Sequence, residues 1–386
     1  MGVLLVSQSP FACRRYKLRQ LNAAIQRVNS ERTRPQPNNP FIEYKGVMHV
    51  HSFLGGHSSG TFSEIIDAAK ANNLDFVIMT EHKEEDFDTA EMTLNGLHGR
   101  VLFVNGNEVS AENGDRTLVT PGSLSPEEKA VAFRSSVIRD PVTIVAYPEE
   151  FKDWNQLFLT GVEVFNVYTN ARRINPLVAF FDVVWSKRGY PDQIFALYLR
   201  RPDASLKLWD QALTHSRMTA TAGNDAHANI GLSLRDSTGK TLAGIQLDPY
   251  EVSFRLVRMH VLIDRNNSFT EQNVVDALRL GHCFIGFDFL GDTSGFSFTV
   301  ESGGAENIQG DEITLAADTR LRVQTPVSSR VVLFKDGNVV SDEVGVMDKE
   351  YPVTQRGVYR VEVYLPQLGS LVADKPWIIS NPIYVR

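Results

Sequence analysis

Residues 47–61 read VMHVHSFLGGHSSGT and hold three of the chain's nine histidines, His49, His51 and His57, among small and apolar neighbours. Neutral imidazole is a ligand for borderline transition metals, and its proton exchanges near neutral pH. His49 and His51 are two residues apart, so on a strand both side chains leave the same side, as two imidazoles on one ion must. Asp225 and His227 repeat that spacing with a carboxylate and an imidazole. Other chemistry-bearing residues follow apolar runs: Glu81 and His82 after LDFVIMT, Glu108 after RVLFVNGN, Tyr147 after PVTIVA, and Glu163 within TGVEVF. A lone His-x-His pair is common on surfaces and in cores. Here five histidines (His49, His51, His57, His82 and His227) fall in such positions, against four that do not (His98, His215, His260 and His282). Imidazoles and carboxylates without a thiolate favour Zn, Mn or Fe over Ca or Mg.

The elements that must position these residues alternate in period. GVMHVHS, LDFVIMTEH, RVLFVNGNEVS, PVTIVAYPEE, TGVEVFNVYT, MTATAGNDAH and MHVLIDR have strand character, and FSEIIDAAKANN and ASLKLWDQALTHS have helical character. Such alternation predicts a parallel sheet, doubly wound or closed into a barrel. In a parallel barrel every strand opens its C-terminal end onto one face, where distant residues converge. After about Leu290 the helical patterns stop, and short alternating strands follow, with a hairpin signal at Asp336-Gly337. They predict a small all-β sandwich of the immunoglobulin-like kind. Before Gly46, RRYKLRQLNAAIQRVNSER predicts an amphipathic helix that TRPQPNNP ends. The expected domains are a helical extension at 1–45, the site-bearing domain at 46–290 and the sandwich at 291–386.

Composition narrows the function classes. The chain has 386 residues, with 39 Lys plus Arg against 46 Asp plus Glu, a formal charge of −7. That balance argues against nucleic acid or an anionic membrane as the main partner, though a local basic pocket could still bind phosphate; the expected partner is a small-molecule substrate. Cys13 and Cys283 are the only cysteines, so neither a disulfide framework nor a thiolate zinc site is expected. The opening MGVLLVSQSPFACRR has a four-residue apolar run, too short for a secretory core, and the expected compartment is the cytoplasm.

HVHSFLGGHSSGT, TEH, GNEVS and GNDAH together resemble, in order, the four motifs of the PHP (polymerase and histidinol phosphatase) metal-dependent hydrolases, over roughly residues 46–290. LKLWDQALTHSRMTATAGNDAHAN and the ending PWIISNPIYVR are similar to the carbaryl-hydrolase-like branch. The resemblance implies a distorted (β/α)7 TIM-like barrel with metal ions at the C-terminal face. It implies one ion on His49, His51, Glu108 and Asp225, and another on His57, His82 and His227, with Glu108 bridging.

The chain departs from the family pattern at two places. Ala146-Tyr147-Pro148 stands where the family has Ala-His-Pro, and VYTNARR lacks a further histidine. Both changes deplete one metal position, so one or two ions are expected. Tyr147 is expected to hydrogen-bond rather than ligate while its pKa stays near 10. Glu163 is either a partner behind a ligand or a buried, paired carboxylate. The expected function is a metal-dependent hydrolase, foremost a phosphoesterase using a metal-activated water. Asp225, Tyr147 and His227 are its catalytic groups. The alternatives are a carbamate or carboxylic ester hydrolase on the same site, and a non-catalytic metal-containing binding protein. Arg172 and Arg173 could neutralise an anionic substrate or simply be surface arginines.

Overall fold

A computed structural model describes residues 2–33, 40–84, 86–122, 141–156, 158–172, 174–228, 231–235, 241–246 and 249–386. The proline-rich stretch expected to end the first helix falls largely outside these residues, as does Arg173. The described chain is mixed α/β and mostly sheet: 22 strands in sheets of 14, six and two, with eight α-helices. This corrects the expected fold, which is not a (β/α)7 barrel followed by an immunoglobulin-like sandwich.

The chain divides into two compact units. A site-bearing unit comprises residues 41–167 and 216–280, and a terminal unit comprises 1–40, 168–215 and 281–386.

The site-bearing unit holds β1 (Phe41–Val50), β2 (Phe76–Met79), β3 (Glu81–His82), β4 (Gly96–His98), β5 (Val101–Val104), β6 (Asn107–Ser110), β7 (Arg116–Thr120), β8 (Val142–Ala146), β9 (Gly161–Asn166), β10 (Thr219–Gly223), β11 (Gly231–Arg235), β12 (Thr241–Gln246) and β13 (Arg258–Asp264). One run of strands is ordered β13-β1-β2-β5-β4 and the other β10-β9-β8-β7-β6-β3. Pairs β1–β2, β2–β5, β3–β6, β8–β9 and β9–β10 are parallel, as the alternation predicts. Pairs β1–β13, β4–β5, β6–β7 and β7–β8 are antiparallel. For β4–β5 and β6–β7 the physical reason is turn chemistry. Gly99 and Gly114 sit at φ 72° and 89°, so tight turns reverse the chain where a parallel barrel needs a helical crossover. The sheets part where the chain leaves β2 for β3 at Thr80 and β5 for β6 at Asn105-Gly106.

The site-bearing unit also holds α2 (Phe62–Ala71) and α3 (Thr89–Met92). Helix α2 starts at Thr61, whose hydroxyl accepts from the Glu64 N–H while the Glu64 carboxylate accepts from the Thr61 N–H. Its Ile65, Ala68 and Ala69 pack into a core with Val47, Val77 and Phe103.

The terminal unit contains α1 (Gly2–Glu31), α4 (Val167–Arg172, from its second residue), α5 (Pro176–Ser186) and α6 (Asp203–Ala212). It also contains β14 (Cys283–Gly286), β15 (Ser297–Ser302), β16 (Ala305–Ile308), β17 (Glu312–Ile313), β18 (Arg320–Lys335), β19 (Asn338–Pro352), β20 (Gly357–Tyr364), β21 (Ile378–Ser380) and β22 (Ile383–Val385). The C-terminal strands thus share a unit with helices from two earlier segments instead of forming a separate sandwich. Asp336 and Gly337, at φ 50° and 75°, join β18 and β19 in the two-residue hairpin their sequence signals. Arg360 is buried against the Phe334 ring at 4.1 Å, and its guanidinium binds Asp210 through two 2.7 Å bonds and Glu362 at 2.7 Å. Arg201 adds two bonds to Glu362 at 2.8 and 2.6 Å. Five donors in a fixed fork satisfy carboxylates that burial would otherwise make costly.

Candidate metal centre

His49 and His51 converge, though not by strand alternation. His49 has φ 62° at a register shift between Met48 and Val50, and β1 ends at Val50. A bulge of this kind re-aims one side chain beside a site. Residues 48–51 are held against 224–226: Asn224 N–H donates to Met48 O at 2.9 Å, Ala226 N–H to His49 O at 3.2 Å and His51 N–H to Ala226 O at 3.1 Å. Tyr147 and Asp225 also sit at positive φ, 51° and 47°. Such backbone costs about 1–3 kcal/mol at each non-glycine residue and collects at functional sites.

The side chains meet at Glu108. His49 Nε2 lies 3.3 Å from Glu108 Oε2 and 3.5 Å from Asp225 Oδ1, and His51 Nε2 lies 3.5 and 3.6 Å from the same two oxygens. His82 Nδ1 is 3.6 Å from Glu108 Oε2, and His227 Nδ1 is 3.3 Å from Asp225 Oδ1. The His51 ring is sandwiched between His82 and His227, with centroids at 4.6 and 4.3 Å. Two groups of ligand atoms are close enough to hold an ion: His49, His51 and Glu108, and His51, His82 and His227. His57 is exposed, with its ring 4.9 Å from His82, and stands outside both groups.

The polar accounting fits a cation. His51 is fully buried, and neither ring nitrogen has a hydrogen-bond partner. Asp225 Oδ1 is likewise buried without one. Buried polar atoms are normally satisfied, and of these His51 Nε2 and Asp225 Oδ1 lie 3.6 Å apart across the cluster. The buried His/Glu group of His49, His51 and Glu108 can therefore hold a metal ion.

Electrostatics divide the imidazoles. Burial opposes charge on His49, but Glu163, Asp225 and Glu108 outweigh it and raise its pKa well above the usual value. Burial, reinforced by the other histidines, holds His51 well below that value. His82 is lowered by burial against the pull of Glu108. Glu108 drops to about 2 despite burial, because His49, His82 and Arg116 stabilise its anion.

Glu163 stands behind His49: its Oε1 is 2.6 Å from Nδ1, which leaves Nε2 facing the cluster. Gly223 makes room for this pair, since a Cβ there would lie 1.8 Å from Glu163 Oε1. The Tyr147 hydroxyl donates to Asp225 Oδ2 at 2.8 Å, and burial beside Asp225, Glu108 and Glu163 raises its pKa, so it stays protonated. Glu81, of the TEH stretch, turns away from the cluster. It accepts the Ser52 N–H at 2.9 Å and the Thr93 hydroxyl at 2.8 Å, fixing the chain just past His51.

Two residues escaped the sequence reading. Asn166 donates to Glu163 Oε2 at 2.8 Å and to Asp225 Oδ2 at 3.2 Å. Arg116 places Nη1 3.3 Å from Glu108 Oε1 and lies over the Tyr147 ring at 5.4 Å. Its signal was the Asn113-Gly114 turn, which folds β7 back beside β6 and brings residue 116 within a diagonal pair of residue 108. Arg172 is exposed and stacks over Tyr168 at 5.2 Å. The remaining histidines serve elsewhere: His98 contacts the Asn95 carbonyl, His260 pairs with Glu43, His282 pairs with Asp311, and His215 is exposed. No family model matches the chain, and no curated protein is detectably similar to it in sequence.

Proposed function

We propose that the chain is a divalent-metal-dependent hydrolase of the PHP kind, acting on phosphoesters and holding one or two ions of Zn, Mn or Fe. The observation that carries the reading is the unsatisfied pair of buried atoms on His51 and Asp225, enclosed by His49 and Glu108. His49, His51 and Glu108 would hold one ion, with Asp225 Oδ1 beside them, and His51, His82 and His227 form the second candidate group. An ion held there supplies Lewis acidity and acidifies water near neutral pH.

The protein's own groups do the rest. Glu163 orients His49, and Asn166 ties Glu163 to Asp225. Tyr147 and Asn166 occupy Asp225 Oδ2 and leave Oδ1 turned to the ion position. Arg116, 47% exposed at its side chain, offers its remaining N–H groups to an anionic oxygen of the substrate. That cation favours a phosphoester over a neutral ester. A carbamate or carboxylic ester is the second reading, favoured by the phenol of Tyr147, which stands as a hydrogen-bond donor in place of an imidazole.

Elemental analysis of chain purified with Mn or Zn supplementation, with turnover of an aryl phosphate and an aryl ester, tests the reading. It expects one or two equivalents of metal and faster phosphate release. Metal without turnover of either substrate would leave a binding protein, and absence of metal would overturn the reading.

A further inference from the structure

Helices α1 and α5 pair within the terminal unit and carry charge unlike the rest of the chain. Helix α1 holds five cations, Arg14, Arg15, Lys17, Arg19 and Arg27, and its only acid is Glu31 at its last residue. The only acid of α5, Asp182, is buried and bound by Arg14 through bonds of 2.9 and 2.7 Å, so it adds little negative charge to the surface. Lys187 and Arg188 follow directly, both exposed. A chain of net charge −7 thus concentrates cations on one helix pair.

The same pair exposes apolar surface. Leu177, Phe180 and Val184 are 66%, 41% and 62% exposed, and at i, i+3 and i+7 they form one stripe along α5. The pairing side is used by Phe181, whose ring meets Phe11 at 5.1 Å. The pair also exposes amphipathic aromatics. Trp185 is part-exposed, with its Nε1–H donating to Gln8 at 2.9 Å, and Tyr16 on α1 is 60% exposed. Aliphatic stripe, Trp and Tyr on the same pair and surrounding cations are the features of a helix lying in a lipid interface. No described helix is long and apolar enough to cross a membrane, which leaves docking on the surface. A second copy is a poorer occupant, because pairing like faces would set these cations against one another.

We propose that the α1–α5 face docks on an anionic lipid bilayer, with Leu177, Phe180 and Val184 entering the headgroup–acyl boundary and the neighbouring cations meeting lipid phosphates. The net charge of the chain argues against such a partner, and the local charge of this face argues for it. The proposal does not depend on the metal centre.

Vesicle flotation of the full chain tests it. Binding is expected to phosphatidylglycerol-containing vesicles and not to pure phosphatidylcholine, and to weaken with salt. The exposed pairs Leu177→Asp with Val184→Asp, and Lys187→Glu with Arg188→Glu, should each cut binding about tenfold or more, since one cation near the surface is worth about fivefold. Circular dichroism checks that both variants fold. Failure of the parent to float with anionic vesicles, or unchanged flotation of both variants, overturns the proposal. So does a parent dimer that Leu177→Asp with Val184→Asp turns into a monomer without any vesicle binding, since the face would then belong to a second copy.

Discussion

At Asp225 the two carboxylate oxygens have different surroundings: Oδ2 accepts from Tyr147 and Asn166, and Oδ1 accepts nothing. Asp225→Asn keeps the shape and removes the charge. It should lower turnover by several orders of magnitude and metal content at least in part, with the circular dichroism spectrum retained; activity within about tenfold of the parent would place the chemistry elsewhere. Glu163 acts through His49, so Glu163→Gln should weaken metal binding by about 10–100-fold, read by competition with a chelating dye. Gly223→Ala should do the same from the other side, because its methyl would displace Glu163. Much of this was legible from residue types, since the histidines and acids of the motifs meet at Glu108. Asn166 was not, because an amide at a strand end gives no signal until its neighbours are known, and Arg116 had only the Asn113-Gly114 turn to mark it. His57 was expected as a ligand and lies exposed against His82, since its position depends on the loop between β1 and α2.

The elements around the site are set by a few local devices. The bulge at His49 was invisible in HVHS, because its cause is the zipping of residues 48–51 against 224–226, more than 170 positions away. The α2 start was visible, since Thr61-Phe62-Ser63-Glu64 is a capping box in sequence and in structure. Thr61→Ala should cost about 1 kcal/mol in urea unfolding and leave metal content unchanged, as the cap lies outside the cluster. The strand runs themselves were legible from apolar pattern, and so was the parallel pairing of β1–β2, β2–β5, β3–β6, β8–β9 and β9–β10, but not the antiparallel pairs. The turn at Asn113-Gly114, which drew no expectation from the sequence, sets β7 against β6 and brings Arg116 to Glu108.

Across the whole molecule, sequence order proved a poor guide to packing. The pattern change near Leu290 is real, yet the strands beyond it pack with α1 and residues 168–215 in one unit. Contacts between such distant segments leave no periodicity to read. The charged core of that unit predicts acid sensitivity. Glu362 is pushed up by burial but drawn down to about 2, from an ordinary 4.5, by Arg201 and Arg360. Its folded pKa lies below its unfolded one, so its ionised form stabilises the fold above pH 4.5, and that stability is lost as pH falls toward 2. Urea unfolding should lose on the order of 3 kcal/mol over that window, and Glu362→Gln should flatten the slope; an equal slope in the variant would assign the acid sensitivity to other groups. The division of the chain also bears on its synthesis. Helix α1 is synthesised before the strands of its own unit, which lie beyond residue 281. At about 5–20 residues per second the helix waits tens of seconds for them, with its cations and apolar residues uncovered, while residues 41–167 and 216–280 are already complete. The helix therefore exists through that interval without the strands that share its unit.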